Sequence, residues 1–580
     1  MKEIAKHAWS QLKGFHAFIM MSLALLIVGE IFGIYIPYLF GQIINKLGDK
    51  TDGVYILAFA AIGFLVSAHF AQWLREYVDL KKYFFTFNEK IEGYATRRLM
   101  GLSLGQHMNM NSSVINETIG MGVSSLKDFV ISILFNLTPH IFYVVLSVSA
   151  ITLVSWQMGL MISLLSAVYL WAALRFNKSY EVPLLALEEE HRKRGKFKSE
   201  MLRNVIPVKL GGQEEWFNDL YMGEISRVNT LARTLWLRYS SGSHMIGFLK
   251  IGITIAMLLF GVRLVKNGQE STGVLVMLFS WTASVTARLG SIRSEMRQVA
   301  RQIPTIKKYI DLVSTEPDLD ETGTKLEIKY GKINMSNVSY NYGAESGGGD
   351  RGIYNVSLEI EAGEMIGIVG ESGAGKSTLI KLLTRAWDPT SGGIYIDNIP
   401  LEEFASSYRR QIAFVQQEGQ LFDNTIRFNL TFGAYGELSD DVLWQALENT
   451  QMAKRVRQSK DGLDSLVGER GIKLSGGERQ RLLMAQAIIR KAKILILDEA
   501  TSHLDVKTEE GIFQNVIRKT SENATTIIVA HRFATLKSCS RIIVMDNGRL
   551  VAFDNHKELM RSCNIYRELV EKQNLIYTPN

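Results

Sequence analysis

The chain has 580 residues, of which 47% are hydrophobic, and a formal net charge of +7 from 65 basic and 58 acidic residues. Much of the basic excess lies between long apolar runs rather than on one soluble face, so we expect no binding to nucleic acid. The two cysteines, Cys539 and Cys563, are too few for a disulfide framework, which is typical of a reducing compartment. The average composition combines an apolar first half with a second half that resembles a water-soluble α/β domain.

Six apolar runs in the first half are long enough, or nearly long enough, to cross a bilayer as helices. About 20 apolar residues are needed, because only in a helix does the backbone satisfy its own hydrogen bonds in lipid. The runs cover residues 15–40, 54–74, 129–153, 156–174, 245–262 and 273–287. No cleavage pattern follows the first run, which indicates a retained span rather than a signal peptide. Residues 1–14 are predicted to form an amphipathic helix in the membrane interface.

The two long connections between spans, residues 75–126 and 175–243, carry most of the basic residues of this half. By the positive-inside rule these connections and both termini are cytoplasmic. Both connections have helical patterns, so we expect the membrane helices to continue into the cytoplasm. We predict the hairpin tips near Leu102–Ser112 and Ile206–Asn218, and we favour contact of these tips with the soluble domain over simple helix–helix turns.

We divide the chain into a transmembrane domain at 15–310, a polar linker at 311–330, a soluble domain at 331–573 and a tail at 574–580. The soluble domain contains a phosphate-loop pattern between a predicted strand, Met365–Val369, and a helix. Glycines at such a loop let backbone N–H groups surround phosphate oxygens. The predicted ATP-binding residues are Gly370, Ser372, Gly373, Gly375, Lys376, Ser377 and Thr378. Lys376 would reach the β- and γ-phosphates, and the Ser377 hydroxyl would bind Mg²⁺.

A second apolar strand, Ile494–Leu497, ends in Asp498 and Glu499. Open α/β sheets bind ligands at this edge, so Asp498 is predicted to hold the Mg²⁺ shell and Glu499 to polarise the attacking water. Such residues often only cap a helix, but the upstream phosphate loop favours the catalytic interpretation. Between the two motifs, Ser475, Gly476 and Gly477 of the sequence LSGGERQ open another helix and form a further anion-binding turn.

The LSGGERQ segment resembles the signature of ATP-binding-cassette (ABC) proteins. Six preceding spans with two long cytoplasmic hairpins resemble the exporter-type (type IV) half-transporters of that family. The resemblance implies a multidomain membrane protein. An all-α six-helix transmembrane domain with long helical extensions would be followed by an α/β P-loop nucleotide-binding domain that hydrolyses ATP with Mg²⁺.

The resemblance also implies roles for single residues. Tyr342, favoured over Tyr340, would stack on adenine, and Gln417 would join Mg²⁺ and the attacking water to the membrane-domain contact. His531 would contact the γ-phosphate, Asp505 would lie in the loop that crosses the dimer interface, and residues 467–471 would touch the hairpins. Three residues depart from the usual family pattern: His503, Glu478 and Phe428. None of them removes a catalytic group, although they leave the details of coupling open.

One phosphate loop and one signature per chain imply a dimer with a second half-transporter, since the family binds ATP between the two motifs of different cassettes. A homodimer is the simplest arrangement, and a heterodimer remains open. A soluble cassette ATPase is excluded by the six spans, whereas an importer of iron chelates or an ATP-gated channel would share the architecture. Ionisable groups within spans, Glu30, Lys250 and Arg288, are candidates for a cavity that takes an anionic or amphipathic cargo. Alternatively, Glu30 pairs with a neighbour and the arginine side chain snorkels toward the headgroups.

Overall fold

The computed structural model describes residues 2–48, 53–110, 112–319, 326–343, 352–404, 407–417, 419–434, 436–468, 471–500, 511–512, 524–529 and 536–577. The chain divides into two compact units. We call Met1–Gly101 with Asn111–Thr315 the membrane unit, and Leu102–Met110 with Glu316–Asn580 the sheet unit.

The first part of the chain is helical. In chain order the helices are α1 (Lys2–Gln11), α2 (His16–Gly48), α3 (Val54–Val78), α4 (Phe85–Met100), α5 (Leu104–Asn109), α6 (Ser112–Ile131), α7 (Thr138–Val154), α8 (Trp156–Arg203), α9 (Val205–Leu210), α10 (Glu214–Lys266) and α11 (Thr272–Val313). All except α5 belong to the membrane unit. Two π-helical segments, Asp79–Phe84 and Ser132–Leu137, join α3 to α4 and α6 to α7, so each pair forms one continuous rod.

Six helical rods are long and apolar enough to cross a membrane: His16–Gly48, Val54–Met100, Val114–Val154, Trp156–Arg203, Glu214–Lys266 and Thr272–Val313. Each contains one of the six predicted runs, to within one residue at the ends of the run, which confirms the six-helix architecture. The rods are longer than the runs, and the 53 residues of α10 reach about 80 Å at about 1.5 Å per residue. The last rod ends at Val313, past the start of the predicted linker at 311, because Ile310 and Val313 are buried in the core.

The segment 1–14, predicted as an amphipathic helix in the membrane interface, contains the helix α1. Ile4, Ala8 and Leu12 share one face at four-residue spacing, and all three are buried. This face packs into a cluster with side chains of α4 and α11, including Phe87 and Ile306. The apolar stripe of α1 is therefore covered by protein.

The sheet unit is an α/β domain with two sheets. Its strands are β1 (Ile333–Asn341), β2 (Gly352–Ile360), β3 (Met365–Val369), β4 (Ser391–Ile396), β5 (Ile399–Pro400), β6 (Ile412–Val415), β7 (Ile494–Asp498), β8 (Thr525–Val529), β9 (Arg541–Asp546) and β10 (Arg549–Asp554). Its further helices are α12 (Lys376–Leu383), α13 (Ser407–Gln411), α14 (Ile426–Thr431), α15 (Asp440–Asn449), α16 (Ala453–Arg457), α17 (Gly476–Ile489), α18 (His556–Ser562) and α19 (Asn564–Tyr577).

The larger sheet carries the nucleotide motifs. Its order is β10-β9-β3-β8-β7-β6, with parallel pairing from β9 to β6 and β10 antiparallel at the edge. The smaller antiparallel sheet has the order β2-β1-β4-β5. Residues of β3 are entirely buried, as expected for a central parallel strand, so its end is held firmly where the phosphate loop begins.

A two-residue turn, Asn547–Gly548, connects β9 to β10. Both residues have positive φ, 46° and 75°, as a tight hairpin turn requires. The backbone N–H of Gly548 donates to the carbonyl of Ala374 at 3.2 Å. The hairpin turn therefore contacts the phosphate loop through a backbone hydrogen bond.

One carboxylate fixes the entry of the chain into the sheet unit. The side chain of Asp397 accepts hydrogen bonds from four consecutive backbone N–H groups, all at 2.8–2.9 Å, namely those of Lys329, Tyr330, Gly331 and Lys332. Asp397 itself has a φ of 52°, a left-handed conformation that Asp and Asn tolerate better than most residues.

Both cysteines are buried and neither forms a disulfide bond, in agreement with the sequence. Cys539 is 7% exposed and Cys563 is 6% exposed, within one hydrophobic cluster. Burial raises the pKa of the Cys539 thiol to about 12.

Candidate functional site

The phosphate loop lies between β3 and α12, as predicted. Gly375 caps α12 with a φ of 100°, and Ser372 and Gly373 form an exposed turn. The ammonium group of Lys376 donates to the carbonyls of Gly370 at 2.7 Å and Glu371 at 2.9 Å, so its side chain folds back over the loop. Burial lowers the pKa of Lys376, and the nearby carboxylates of Glu499 and Asp498 oppose this shift. The lysine of the phosphate loop is thus close enough to both carboxylates for their charges to affect its pKa.

Two glycines of this loop are required by close packing. A Cβ at Gly370 would overlap the carbonyl oxygen of Met545 in β9. A Cβ at Gly375 would lie 2.9 Å from Cγ2 of Ile353, and its positive φ also disfavours a side chain. The glycine pattern in the sequence therefore has a local steric cause here, in addition to its use for binding phosphate.

The acidic pair lies at the carboxyl end of β7, between β6 and β8. Asp498 is the last residue of the strand, and the N–H of Glu499 donates to the carbonyl of Val529 at 3.1 Å. Glu499 has a φ of 48°, which is uncommon for a residue other than glycine and is found disproportionately at functional sites. The side-chain amide of Gln417 donates to the carboxylate of Glu499 at 2.5 Å. The structure thus brings Gln417, Asp498, Glu499 and Lys376 together.

Tyr342 lies over the start of α12. Its hydroxyl is 3.0 Å from Oγ1 of Thr378, and its ring packs edge-on against Trp387 at 5.5 Å between ring centres. Tyr340 instead stacks on Trp387, with ring centres 5.4 Å apart. The two tyrosines therefore occupy different positions around one tryptophan, and the hydroxyl of Tyr342 contacts the predicted ATP-binding residue Thr378.

The signature segment forms the start of α17, as predicted. Ser475 caps the helix by accepting from the N–H of Glu478 at 3.2 Å, and the Glu478 carboxylate accepts from the N–H of Ser475 at 2.8 Å. This reciprocal capping box explains why the departure at Glu478 is tolerated, since Glu and Gln both serve at this position. Within the part of the chain that the structure describes, no hydrogen bond or ion pair joins residues 474–477 to the phosphate loop.

Some predicted residues lie outside the described part of the chain. These are Asp505, His531 and the departure His503, together with residues 469–470 of the segment 467–471. The third departure, Phe428, forms an exposed aromatic cluster with Phe422 and Phe432, at 5.6 Å and 6.0 Å between ring centres.

The first predicted hairpin tip, α5, packs against the rest of the sheet unit. Leu104 contacts the buried core, and the side-chain amide of Gln106 donates to the carbonyl of Glu316 at 2.9 Å. Gly105 is buried, and a Cβ there would overlap the carbonyl of Ala386 and lie 2.6 Å from Cδ1 of Trp387. The same Trp387 contacts both Tyr340 and Tyr342, so it joins α5 to the predicted adenine site.

Sequence reasoning did not find Gly105 and Trp387. In the sequence Gly105 only interrupts the helical pattern at the predicted tip near Leu102–Ser112, and a single tryptophan after a phosphate-loop helix carries no pattern of its own. A glycine within the short capped segment Ser103–Asn109 is the one signal that pointed to close packing.

The ionisable groups of the spans occupy two settings in the membrane unit. Arg288 is paired: it donates to Glu30 at 3.2 Å, lies 2.9 Å from Nδ1 of His140, and covers the ring of Tyr143 at 4.7 Å. Lys250 lines a cavity of about 670 Å³ between α10 and α11 and has no carboxylate partner among the described residues. The paired arrangement expected as the alternative for Glu30 is therefore seen, while Lys250 lines an open groove.

Sequence profiles identify both parts of the chain. The profile described as "ABC transporter" matches residues 353–502, and that described as "ABC transporter transmembrane region" matches residues 19–289. The chain is 32% identical over 426 residues to the uncharacterized ABC transporter ATP-binding protein YwjA of Bacillus subtilis, covering 72% of each protein. The chain belongs to the ABC transporter family.

Within that family, the order of one membrane region followed by one cassette makes the chain an exporter-type half-transporter. It is 28% identical to the beta-(1→2)glucan export ATP-binding/permease protein of Bartonella bacilliformis, covering 96% of this chain and 91% of that one. It is 29% identical to the ATP-dependent lipid A-core flippase of Burkholderia thailandensis, over 90% and 87% of the two chains. A bacterial Atm1-family ABC exporter with ATP bound has the same fold, with a TM-score of 0.86 at 23% identity over 96% of this chain and 98% of that one.

Proposed function

We propose that the protein is an ATP-driven exporter that works as a dimer in the bacterial inner membrane and moves an amphipathic or anionic molecule out of the cytoplasm or inner leaflet. The observation that carries the proposal is the cluster of Lys376, Asp498, Glu499 and Gln417 at one sheet edge, in a chain that also has six spans. The cytoplasmic position of both termini follows the distribution of basic residues between the spans.

The catalytic part of the proposal assigns Glu499 as the general base and Gln417 as the residue that orients it. The donor set of Ser377, Gln417 and Asp498 fits Mg²⁺, which prefers hydroxyl, amide and carboxylate oxygens together with substrate phosphates. When bound, Mg²⁺ neutralises charge on the phosphates. The amide nitrogen of Gln417 holds Glu499 and leaves the amide oxygen as an acceptor. The start of α12 and the Lys376 ammonium provide positive charge for the phosphates.

The dimer is supported by the separation of the two ATP motifs within one chain. Among the described residues, 474–477 form no hydrogen bond or ion pair with the phosphate loop, although the helix start at each motif is suited to anions. If ATP needs both, the signature must come from a second chain. All ATP motifs of this chain that the structure describes are complete, which favours two equivalent sites in a homodimer.

The cargo assignment is supported by Lys250. Its ammonium group lies against Gly290 of α11, where a Cβ would be 3.1 Å from it, and it lines the 670 Å³ cavity without a carboxylate. An unpaired cation within a span is costly unless it faces water or a ligand. Two relatives are named for the movement of beta-(1→2)glucan and of lipid A-core, which supports an organic cargo.

The test is ATP-dependent transport in reconstituted vesicles. Inside-out proteoliposomes should accumulate an anionic amphiphile when Mg-ATP is outside, and should not do so with a non-hydrolysable analogue. Screening a library of lipids, glycans, peptides and metabolites by ATPase stimulation in nanodiscs would identify the cargo. ATP-driven movement in the reverse direction would contradict export, and ion current without net cargo movement would favour a channel.

A further inference from the structure

A second cavity, of about 330 Å³, lies in the membrane unit where α8, α10 and α11 leave the predicted apolar runs. It begins at Leu174, the last residue of the predicted fourth run, and continues on the cytoplasmic side to Arg301. Its wall is mainly aromatic and aliphatic, formed by Tyr180, Trp236, Tyr239, Leu174 and Met296. Its volume is at the lower end of the range for small-molecule sites.

The aromatic wall is organised rather than loosely packed. Tyr239 is at its centre, with Tyr180 edge-on at 5.3 Å and Trp236 edge-on at 5.6 Å between ring centres. The guanidinium of Arg297 covers Tyr239 at 4.9 Å from the ring centre. This cation–π contact holds the arginine in position over an apolar surface.

Three arginines form a stripe on the face of α11 that includes this cavity. Arg293, Arg297 and Arg301 are spaced by four residues, and like charges at this spacing destabilise a helix. Only Arg301 has a carboxylate partner among the described residues, Glu188 at 3.8 Å. Arg293 donates to the Ser243 hydroxyl at 2.6 Å, but its Nε and Nη1 atoms are buried without a hydrogen-bond partner in the described region.

The other charged and polar groups at the cavity do not compensate the stripe. Lys178 and Glu181 of α8 are both exposed, and their opposite charges cancel. The net charge of the cavity lining is therefore positive and comes from the arginines of α11. Asn177, also on α8, has a buried amide oxygen without a partner among the described residues, and its amide nitrogen donates to the carbonyl of Arg293 at 3.2 Å. The cavity lining therefore has an unsatisfied acceptor on Asn177 next to the apolar wall, and the unsatisfied donors belong to Arg293, one helical turn from the lining residue Arg297.

We propose that this cavity binds an amphipathic organic anion, with its acidic group on Arg297 and its apolar body against Trp236 and Met296. The position at the inner membrane boundary suits a ligand that arrives from the inner leaflet or the cytoplasm, before it reaches the groove at Lys250. This inference rests on the proposed export function and names the chemistry of cargo entry.

The experiment measures binding to the full-length protein in nanodiscs without nucleotide. The probes are 4-(pyren-1-yl)butyrate and the uncharged 4-(pyren-1-yl)butanol, detected by energy transfer from tryptophan after subtraction of empty nanodiscs. Arg297→Gln should weaken pyrenebutyrate binding roughly tenfold, the effect of losing one partly solvent-screened charge-assisted hydrogen bond. The same variant should bind pyrenebutanol with unchanged affinity. Trp236→Ala should weaken both probes, because it removes the apolar wall.

Matched controls separate charge from folding. Arg297→Lys keeps the charge and should recover most of the pyrenebutyrate affinity, and Arg233→Gln, on an exposed part of α10 outside the cavity, should behave as the wild type. Competition by phosphatidylglycerol in the nanodisc would identify a lipid headgroup as the source of the anion, and its absence a free amphiphile. Equal affinity of the wild type and Arg297→Gln for pyrenebutyrate would overturn the proposal. Intact binding without ATP-driven transport would instead contradict the export function.

Discussion

The side-chain amide nitrogen of Gln417 lies 2.5 Å from a carboxylate oxygen of Glu499. The two residues follow the carboxyl ends of neighbouring strands, β6 and β7, so the contact depends on the parallel pairing of these strands. Glu499 has a left-handed backbone conformation, with a φ of 48°, directly after the end of β7. We propose this pair as the catalytic centre of the ATPase.

Glu499→Gln should bind Mg-ATP and hydrolyse it about 100- to 10,000-fold more slowly, the usual cost of removing a general base. The amide keeps the shape of the side chain but cannot accept a proton from water. Steady-state ATPase activity and nucleotide trapping measure the two properties separately. Glu403→Gln, an exposed substitution in the same unit, is the control. Near-normal hydrolysis by Glu499→Gln would exclude Glu499 as the base.

Two inactive variants should complement each other if ATP binds between chains. A Lys376→Ala chain lacks the phosphate-loop lysine, and a Ser475→Arg chain carries a bulky cation in the signature. A mixed dimer then keeps one intact site, so isolated mixed dimers should recover about half of the wild-type ATPase activity if the sites act independently. Each variant alone should remain inactive. Failure of verified mixed dimers to recover activity would argue against sites shared in this way.

Gly105→Leu should disturb coupling, because any side chain at this position overlaps Ala386 and Trp387. We expect basal ATPase activity to persist while stimulation by cargo is lost. The control is Gly120→Ala in α6, where a Cβ would meet no atom within 4 Å. Transport and ATPase activity measured in the same vesicles give the coupling ratio. An unchanged ratio in Gly105→Leu would show that α5 does not transmit motion through this contact.

Lys250→Gln should weaken stimulation of the ATPase by an anionic amphiphile, so that the half-maximal concentration rises about tenfold. The half-maximal concentration of a neutral analogue should not change. Lys250→Arg should restore the response, since it retains the charge. Lys266→Gln, at the exposed C-terminal end of α10, is the matched control. Equal responses of Lys250→Gln and the wild type would remove Lys250 from the cargo site.

Arg288→Gln should lower the melting temperature, because it leaves Glu30 without its ion-pair partner within the span.

Asp397→Ala should destabilise the sheet unit by about 2–4 kcal/mol, because four backbone N–H groups lose a charged acceptor. Asparagine tolerates the same backbone conformation, so Asp397→Asn should lose less stability than Asp397→Ala. Thermal unfolding of the full-length protein, followed by the transition of the sheet unit, measures the difference. Equal melting temperatures for the wild type and Asp397→Ala would show that the four N–H groups are satisfied without the carboxylate.

The order of spans and ATP motifs was predictable because each depends on local sequence. Apolar runs identify the spans, and the phosphate loop and signature have fixed spacing next to elements with clear periodicity. The glycines at 370 and 375 were correctly placed in a loop between β3 and α12. The tip near Leu102–Ser112 was also predicted, since Gly105 interrupts the helical pattern, and it appears as α5.

Long-range features were not predictable from one sequence. The π-helical segments Asp79–Phe84 and Ser132–Leu137 differ from α-helix only in hydrogen-bond register, which has no compositional signal. The pairing of Arg288 with Glu30 joins residues 258 positions apart. Trp387 and Asp397 act through partners elsewhere in the fold, so their roles appear only when the chain is folded.

The burial of both native thiols makes the protein suitable for site-specific labelling without removing any residue. At ordinary pH a maleimide reacts with thiolate, and a Cys539 pKa of about 12 leaves almost none. A cysteine introduced at Leu210, which is 85% exposed, would react far faster than the native pair. Spin labels at this position in two copies of the chain would report the distance between their α9 segments, with and without ATP, on the native sequence background.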